Sequence, residues 1–254
     1  MFIETHAHLT MPEYSDLDEV ITRAKNEKII KIVNASFDLQ SSRDSLKLAK
    51  NYQDYIFAAI GIHPHDADTV TAASLNEIKT LAANQEVVAI GETGLDYNKN
   101  LQSQETQQAA FRKLLLLAQE VGLPVIIHAR DAQEDTIRIM QEVNKGNLRG
   151  VFHCFAGDDQ LIRFASDIGF YISFAGMVTF KKAHNVRENV IRVPLSQLLL
   201  ETDCPYLAPE PYRGKRNEPS YLPTIARKIA EVKGVTVDEV ATETTKNSKE
   251  LFKI

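Results

Sequence analysis

The chain has 254 residues, with 29 Lys and Arg against 34 Asp and Glu for a formal charge of −5, and its residues are 44% hydrophobic and 25% charged. That composition excludes intrinsic disorder, its acidic balance argues against a general nucleic-acid coat protein, and no apolar run approaches the roughly 20 residues of a membrane span. Two cysteines, Cys154 and Cys204, suit reduced thiols in the cytoplasm rather than a secreted framework, and the first residues carry no basic region followed by an apolar stretch, so no signal peptide is expected.

In chain order, short apolar runs alternate with amphipathic segments. Phe2–His6 is the first run. Leu17, Val20, Ile21 and Ala24 then fall at helical spacing, with Ser15 as N-cap. The runs Ile29–Val33 and Ile56–Ile62 follow, and a second helical stripe combines Leu75, Ile78, Leu81 and Ala82. After Val87–Glu92, a helix carries Phe111, Leu114, Leu115, Ala118 and Val121 and stops at Gly122. Pro124–His128 and Gly150–His153 are the next runs. Leu161, Ile162, Ala165 and Ile168 precede Gly169 in the same manner. Phe170–Phe174 and Leu198–Glu201 complete the runs. Beyond them lie a helix with Ile225, Ala226, Ile229 and Ala230 and a short helix opened by a Thr236-to-Glu239 capping box.

Runs apolar on both faces read as buried parallel strands. Eight of them in 254 residues give about 32 residues per unit, close to the roughly 30 of a βαβ step. The sequence therefore predicts an α/β fold, a (β/α)8 TIM barrel of one domain over 1–254, with its functional face at the C-terminal mouth of the strands. A doubly wound sheet is the rival, weakened by the lack of a Gly-rich phosphate fingerprint after the first run.

Polar residues gather where the runs end. His6 and His8 close the first, His63 and His65 the third, Glu92 the fourth, His128 the fifth and His153 the sixth, while Asp203 follows the eighth. On a strand, positions i and i+2 face the same way, so His6 and His8 can share a cation. Joined by Glu92, His128, His153 and Asp203, they offer four imidazoles and two carboxylates. That set suffices for two divalent ions with one carboxylate bridging, and suits zinc, manganese or iron ahead of magnesium. Such a site points to hydrolysis by an activated water, with Asp203 able to act as both ligand and general base. Arg213, Lys215 and Arg216 follow the last run and offer cations for an anionic substrate; a solvated basic loop is the alternative.

Other residues carry two readings each. His63 would overfill the ligand set and is assigned to a phosphate or leaving-group contact; His65 is expected to support the site or the fold. Arg130 either holds a phosphate or makes a rim salt bridge. Asp96 and Tyr97 either orient a ligand or cap their loop. Cys154 and Cys204 are expected to be inert buried thiols, with Cys154 facing away from His153. Lys181, Lys182 and Arg187 either steer a polyanion or form a solvated helix face.

Taken together, the segments Glu4-Thr5-His6-Ala7-His8-Leu9, Gly61-Ile62-His63-Pro64-His65, Gly91 to Tyr97, Pro124 to Arg130, Phe152 to Gly157, Glu201 to Leu207, Pro209 to Leu222 and Asn247 to Phe252 resemble the TatD family of metal-dependent deoxyribonucleases. The resemblance implies that His6, His8 and Asp203 bind one metal, that Glu92 bridges, and that His128 and His153 complete the second. It implies phosphodiester hydrolysis in DNA, commonly as a 3′-to-5′ exonuclease on DNA ends or single strands. The sequence departs from the family at Glu4, where most members carry Asp, which bears on support of the first metal. The substrate-binding set is His63, Arg130, Arg213 and Lys215. A D-aminoacyl-tRNA deacylase using the same metals is the nearest alternative, with tRNA as partner; a non-catalytic member that binds metal and nucleic acid is the second. A cytoplasmic monomer or weak oligomer is expected.

Overall fold

The computed structural model describes residues 1–99 and 101–254. Eight strands lie in one parallel sheet in chain order: β1 (Phe2–Ala7), β2 (Ile29–Ala35), β3 (Ile56–Ile60), β4 (Val87–Asp96), β5 (Val125–Arg130), β6 (Gly150–Phe152), β7 (Tyr171–Phe174) and β8 (Leu198–Leu200). Helices α1 (Leu17–Asn26), α2 (Leu39–Asn51), α3 (Ala72–Leu81), α4 (Gln104–Val121), α5 (Gln133–Val143), α6 (Asp159–Asp167) and α7 (His184–Arg192) connect successive strands, and α8 (Leu222–Lys233) and α9 (Val237–Phe252) follow the last. The expected (β/α)8 barrel is thus the observed one.

The ring closes between β8 and β1 at the mouth. Ala7 and Cys204 form an isolated parallel bridge. The Asp203 backbone N–H donates to His6 O at 3.0 Å and the His8 N–H to Cys204 O at 2.8 Å. Below them the Thr5 hydroxyl donates to Leu200 O at 2.8 Å. This seam places His6, His8 and Asp203 in mutual register.

Two apolar clusters hold the barrel. The larger lies between strands and helices and includes Phe111, Leu114, Leu115 and Ala118 of α4. Burying each large side chain there contributes about 1.5–3 kcal/mol. Gly122 ends α4 in a left-handed conformation (φ 73°), as its position in the sequence predicts. The smaller cluster takes Val33, Ala59, Val88, Ala89, Ile126, Val151 and Leu199 from six strands, together with Leu251 and Phe252 of α9. Strand neighbours face opposite sides, so most of these strands contribute a single residue to it.

Three expectations need correction. The residue before α1 is Asp16, not Ser15, and no side chain caps that helix. The C-terminal helix, opened by the expected Thr236–Glu239 capping box, runs for 16 residues and is not the short helix expected. Helices α2, α5 and α7 were not foreseen individually; α2, for example, buries Ser41, Ser42 and Ser45 beside Leu46, Leu48 and Ala49, so hydroxyls stand where an apolar stripe would have signalled it. Among the described residues, no helix is long and apolar enough to cross a membrane.

Candidate metal centre at the barrel mouth

Each proposed ligand is delivered by the end of a strand. His6 lies in β1 and His8 just beyond it, Glu92 in the long β4, and His128 in β5. His153 follows β6 directly, its backbone N–H bound to Ile127 O at 3.0 Å. The β4–β5 contact that sets His128 requires a glycine: Gly94 pairs with His128, and a Cβ on Gly94 (φ +142°) would fall 1.9 Å from the His128 carbonyl oxygen.

Glu92 is the hub. Its Oε1 lies 2.8 Å from His128 Nδ1, 2.8 Å from His153 Nε2 and 3.3 Å from His63 Nε2. Its Oε2 lies 3.3 Å from His6 Nε2 and 3.8 Å from His8 Nε2. Asp203 Oδ1 stands 3.5 Å from His8 Nε2 and 3.8 Å from His6 Nε2. Two groups able to grip a cation result, His6–His8–Asp203 and His63–Glu92–His128. A third, His6–His153–Glu201, lies behind them.

The imidazole tautomers show which nitrogens are open to a cation. His8 Nδ1 sits 3.0 Å from the Ala35 carbonyl, so it carries the proton and Nε2 presents a lone pair inwards. Glu201 Oε1 stands 3.5 Å from His153 Nδ1 and Asp96 Oδ2 stands 3.4 Å from His128 Nε2. Both carboxylates favour protonation of the outward nitrogen. His63 is the reverse case. Its Nδ1 accepts the His65 N–H at 3.1 Å, which puts the proton of the neutral ring on Nε2, the atom facing Glu92. That tautomer is a donor at the site and a poor ligand.

The residues fit divalent ions. His6 Nε2 and His8 Nε2 approach to 3.2 Å, as do His128 Nδ1 and His153 Nε2, so each pair of nitrogens is close enough to share a proton or a cation. On the side away from the site, His6 Nδ1, His128 Nε2 and His153 Nδ1 are buried without a hydrogen-bond partner, the last two facing carboxylates at 3.4 and 3.5 Å.

The carboxylates draw positive charge to the site: against burial, Asp203 raises His8, Asp96 and Glu92 raise His128, and Glu92 and Glu201 push His153 well above its usual range. Burial disfavours the charged Glu92 carboxylate, yet His153, His63 and His128 outweigh it and hold the carboxyl well below its usual range. Asp203 is likewise penalised by burial but held down by His8 and His6. Burial lowers His63 to about 4, so its ring is neutral at physiological pH.

The remaining predicted residues divide. His65 Nε2 meets Asp96 Oδ2 at 2.9 Å, supporting the site rather than entering it. Asp96 caps its loop, with Oδ1 accepting the Asn98 and Lys99 N–H groups at 3.0 and 3.1 Å, while Oδ2 faces His65 and His128. Tyr97 hydrogen-bonds Asp135 at 2.7 Å and belongs to the loop. Arg130 is exposed at the end of β5, and among the described residues its side chain makes no ion pair. Arg213 lies with its guanidinium carbon 3.7 Å over the centre of the Phe180 ring. Lys215 Nζ is 6.0 Å from the Tyr212 ring, whereas Arg216 is bound to Asp16 at 2.6 Å. Cys204 is buried as expected. Cys154 is a correction: β6 ends at Phe152 and Cys154 is left-handed (φ 46°), so strand alternation lapses and its thiol faces the Asp203 carboxylate, which with burial pushes it far up.

Glu4 and Glu201 complete the centre from behind. Glu4 accepts backbone N–H groups rather than touching an imidazole. Glu201, absent from the expected set, accepts the Cys154 N–H at 2.6 Å and the Ser173 hydroxyl at 2.5 Å. A glutamate closing a run as apolar as Leu198-Leu199-Leu200 is the signal that could have revealed it, since buried charge needs a partner.

A family model described as TatD related DNase matches residues 3–253. The chain is 47% identical, over the whole of both sequences, to a Bacillus subtilis (strain 168) protein named uncharacterized metal-dependent hydrolase YabD. It is 34% identical, over 96% of each chain, to a Pantoea ananatis protein named 3′-5′ ssDNA/RNA exonuclease TatD. The crystal structure of YjjV, a TatD homologue from Escherichia coli K12, superposes with a TM-score of 0.93 at 30% identity, covering 100% of this chain and 98% of that one.

Proposed function

The chain belongs to the TatD-related DNase family and is a metal-dependent hydrolase, and from that premise we propose that it removes nucleotides from the 3′ end of single-stranded DNA. Two divalent ions would be held by His6, His8 and Asp203 on one side and His128 and His153 on the other, with Glu92 between them. Residues 1–254 act as one domain, in the cytoplasm, as a monomer or weak oligomer. The observation that carries the reading is Glu92, whose two oxygens face the two histidine groups separately.

When bound, such ions supply a water of lowered pKa and charge to offset the leaving oxygen. Asp203, ionised and beside the site, takes the proton of the attacking water. His63, neutral with its proton on Nε2, donates to a phosphate or leaving oxygen. Arg130 and Lys215 hold phosphate oxygens around it, and Arg213 holds the strand further along.

The test is an end-labelled single-stranded oligonucleotide incubated with metal-loaded protein and with Glu92→Ala. A ladder shortening from the 3′ end, absent in the variant, is the expected result. An intact oligonucleotide with the ions bound would overturn the reading; hydrolysis of D-aminoacyl-tRNA instead would move the substrate to an acyl ester.

A further inference from the structure

The segment after β7 and the loop after β8 both leave the mouth of the barrel, and between them is a cleft of about 530 Å³ lined by Phe180, Lys181, Lys182, Ala183, Glu210 and Arg213. Its walls are fixed to one another. The Glu210 N–H donates to Thr179 Oγ1 at 2.9 Å, and Gly176 lies so close to the opposite wall that a Cβ there would fall 1.9 Å from Leu207 O. Arg187 holds the first wall from outside, donating to the carbonyls of Val178, Phe180 and Lys181 at 3.2, 2.7 and 3.1 Å. Arg187 is therefore a brace and not a free cation.

The cleft presents charge without partners. Among the described residues, Lys181, Lys182 and Arg213 make no ion pair, unlike Arg216 of the same basic loop, which is bound to Asp16. Glu210 is the one carboxylate in the lining and is within ion-pair distance of none of the three. In a chain of net charge −5, three cations against one carboxylate give this concavity a local positive excess. Arg213 spreads its guanidinium on the Phe180 ring, which keeps the fork extended in the cleft. A flat cation over an aromatic ring is also a surface on which a base can stack.

Resting on the nuclease reading above, we infer that this cleft holds the backbone of a single-stranded DNA substrate beyond the nucleotide being removed. Lys181 and Lys182 neutralise its phosphates and the Arg213–Phe180 pair supports a base. The same loop that brings Asp203 to the metal centre continues through half-exposed Tyr206, whose ring centroid is 6.1 Å from that of His8, to Glu210 and Arg213. A strand leaving the centre thus follows one continuous loop into the cleft, and its binding energy fixes the scissile end.

The test compares the parent, Lys181→Ala/Lys182→Ala and, as a matched loss of charge on α9, Lys246→Ala/Lys249→Ala. Each is offered a dinucleotide and an oligothymidylate of about twelve nucleotides, and affinity for the longer strand is followed against salt in the Glu92→Ala background. Loss of two phosphate contacts lowers the slope of log affinity against log salt by about 1.4. The ratio of kcat/KM on the long strand to that on the dinucleotide should fall at least several-fold for the cleft variant and hold for the α9 variant. An unchanged slope and ratio, or equal effects from both pairs, would overturn the cleft alone. A parent that cleaves neither substrate would overturn the nuclease reading and the cleft with it.

Discussion

The Glu4 carboxylate receives the Thr202 backbone N–H on both oxygens, at 2.9 Å to Oε1 and 3.1 Å to Oε2. Oε1 also receives the His6 N–H at 3.1 Å. One side chain, fully buried, thereby joins the strand carrying His6 and His8 to the residue preceding Asp203. Glu4→Ala strands two buried N–H groups, at a cost of about 1–3 kcal/mol each. The unfolding free energy measured by urea titration should drop accordingly, and metal affinity should drop with it. Glu4→Asp restores the acceptors with a shorter reach and is expected to recover most of the loss. An alanine variant as stable as the parent would mean that Thr5 and the Ala7–Cys204 bridge close the barrel unaided.

Glu201 is expected to act on His153 rather than on substrate. Its carboxylate is fixed by the Cys154 N–H and the Ser173 hydroxyl and stands 3.5 Å from His153 Nδ1. Glu201→Gln keeps the shape and removes the charge that favours the Nδ1–H tautomer. Loss of such support typically weakens metal binding by about 10–100-fold. Competition against a chromophoric chelator measures this directly, without turnover. An unaltered affinity would show that His153 needs no such partner.

The barrel, and the gathering of six candidate ligands at one mouth, are legible because both follow from local rules. Buried parallel strands are apolar throughout, and a charged residue closing such a run stands out at once, as His128 does after Val125-Ile126-Ile127. Tertiary relationships were not readable. Strand alternation would turn Cys154 away from His153, but β6 ends at Phe152 and the left-handed backbone at Cys154 breaks that alternation. Glu201 is not legible because its partners, Ser173 on β7 and the Cys154 N–H just past β6, meet it only in the fold. The role of Glu4 depends on Thr202, 198 residues away. The basic loop looked uniform in sequence, yet its cations separate: Arg216 is spent on Asp16 while Arg213 is left on Phe180.

His63 and the metal ligands should separate experimentally. With Nδ1 occupied by the His65 N–H, the ring donates through Nε2, so His63→Asn should keep both ions bound. Removing one donor to developing charge typically costs about 10²–10³ in kcat. Metal content by atomic emission and steady-state rates on the same preparation distinguish the roles. Loss of one ion per chain would make His63 a ligand.

Cys154 faces Asp203, and its thiol is pushed far above its usual range by burial and by the carboxylates of Asp203, Glu201 and Glu92. It is therefore a poor thiolate and should alkylate slowly at neutral pH. Cys154→Ala should retain hydrolysis within a few-fold of the parent. Rapid iodoacetamide labelling accompanied by inactivation would instead point to a reactive nucleophile beside the metal centre.

The Asp16–Arg216 pair ties the basic loop to the residue before α1, and it gives a pH dependence of defined sign. The Arg216 guanidinium, aided by Arg23, holds the Asp16 carboxyl well below its usual value. A carboxyl depressed in the folded state stabilises it at every pH above the unfolded value near 3.8, and that contribution disappears as the pH falls from there through the folded value. Asp16→Asn should therefore melt below the parent at pH 7, modestly because the pair is partly exposed. The gap in Tm should stay constant down to about pH 5 and narrow below pH 4. High salt should shrink it too, since partly exposed charges are screened. A gap that widened in acid would assign the loss to the geometry of the α1 start rather than to the charge of Asp16.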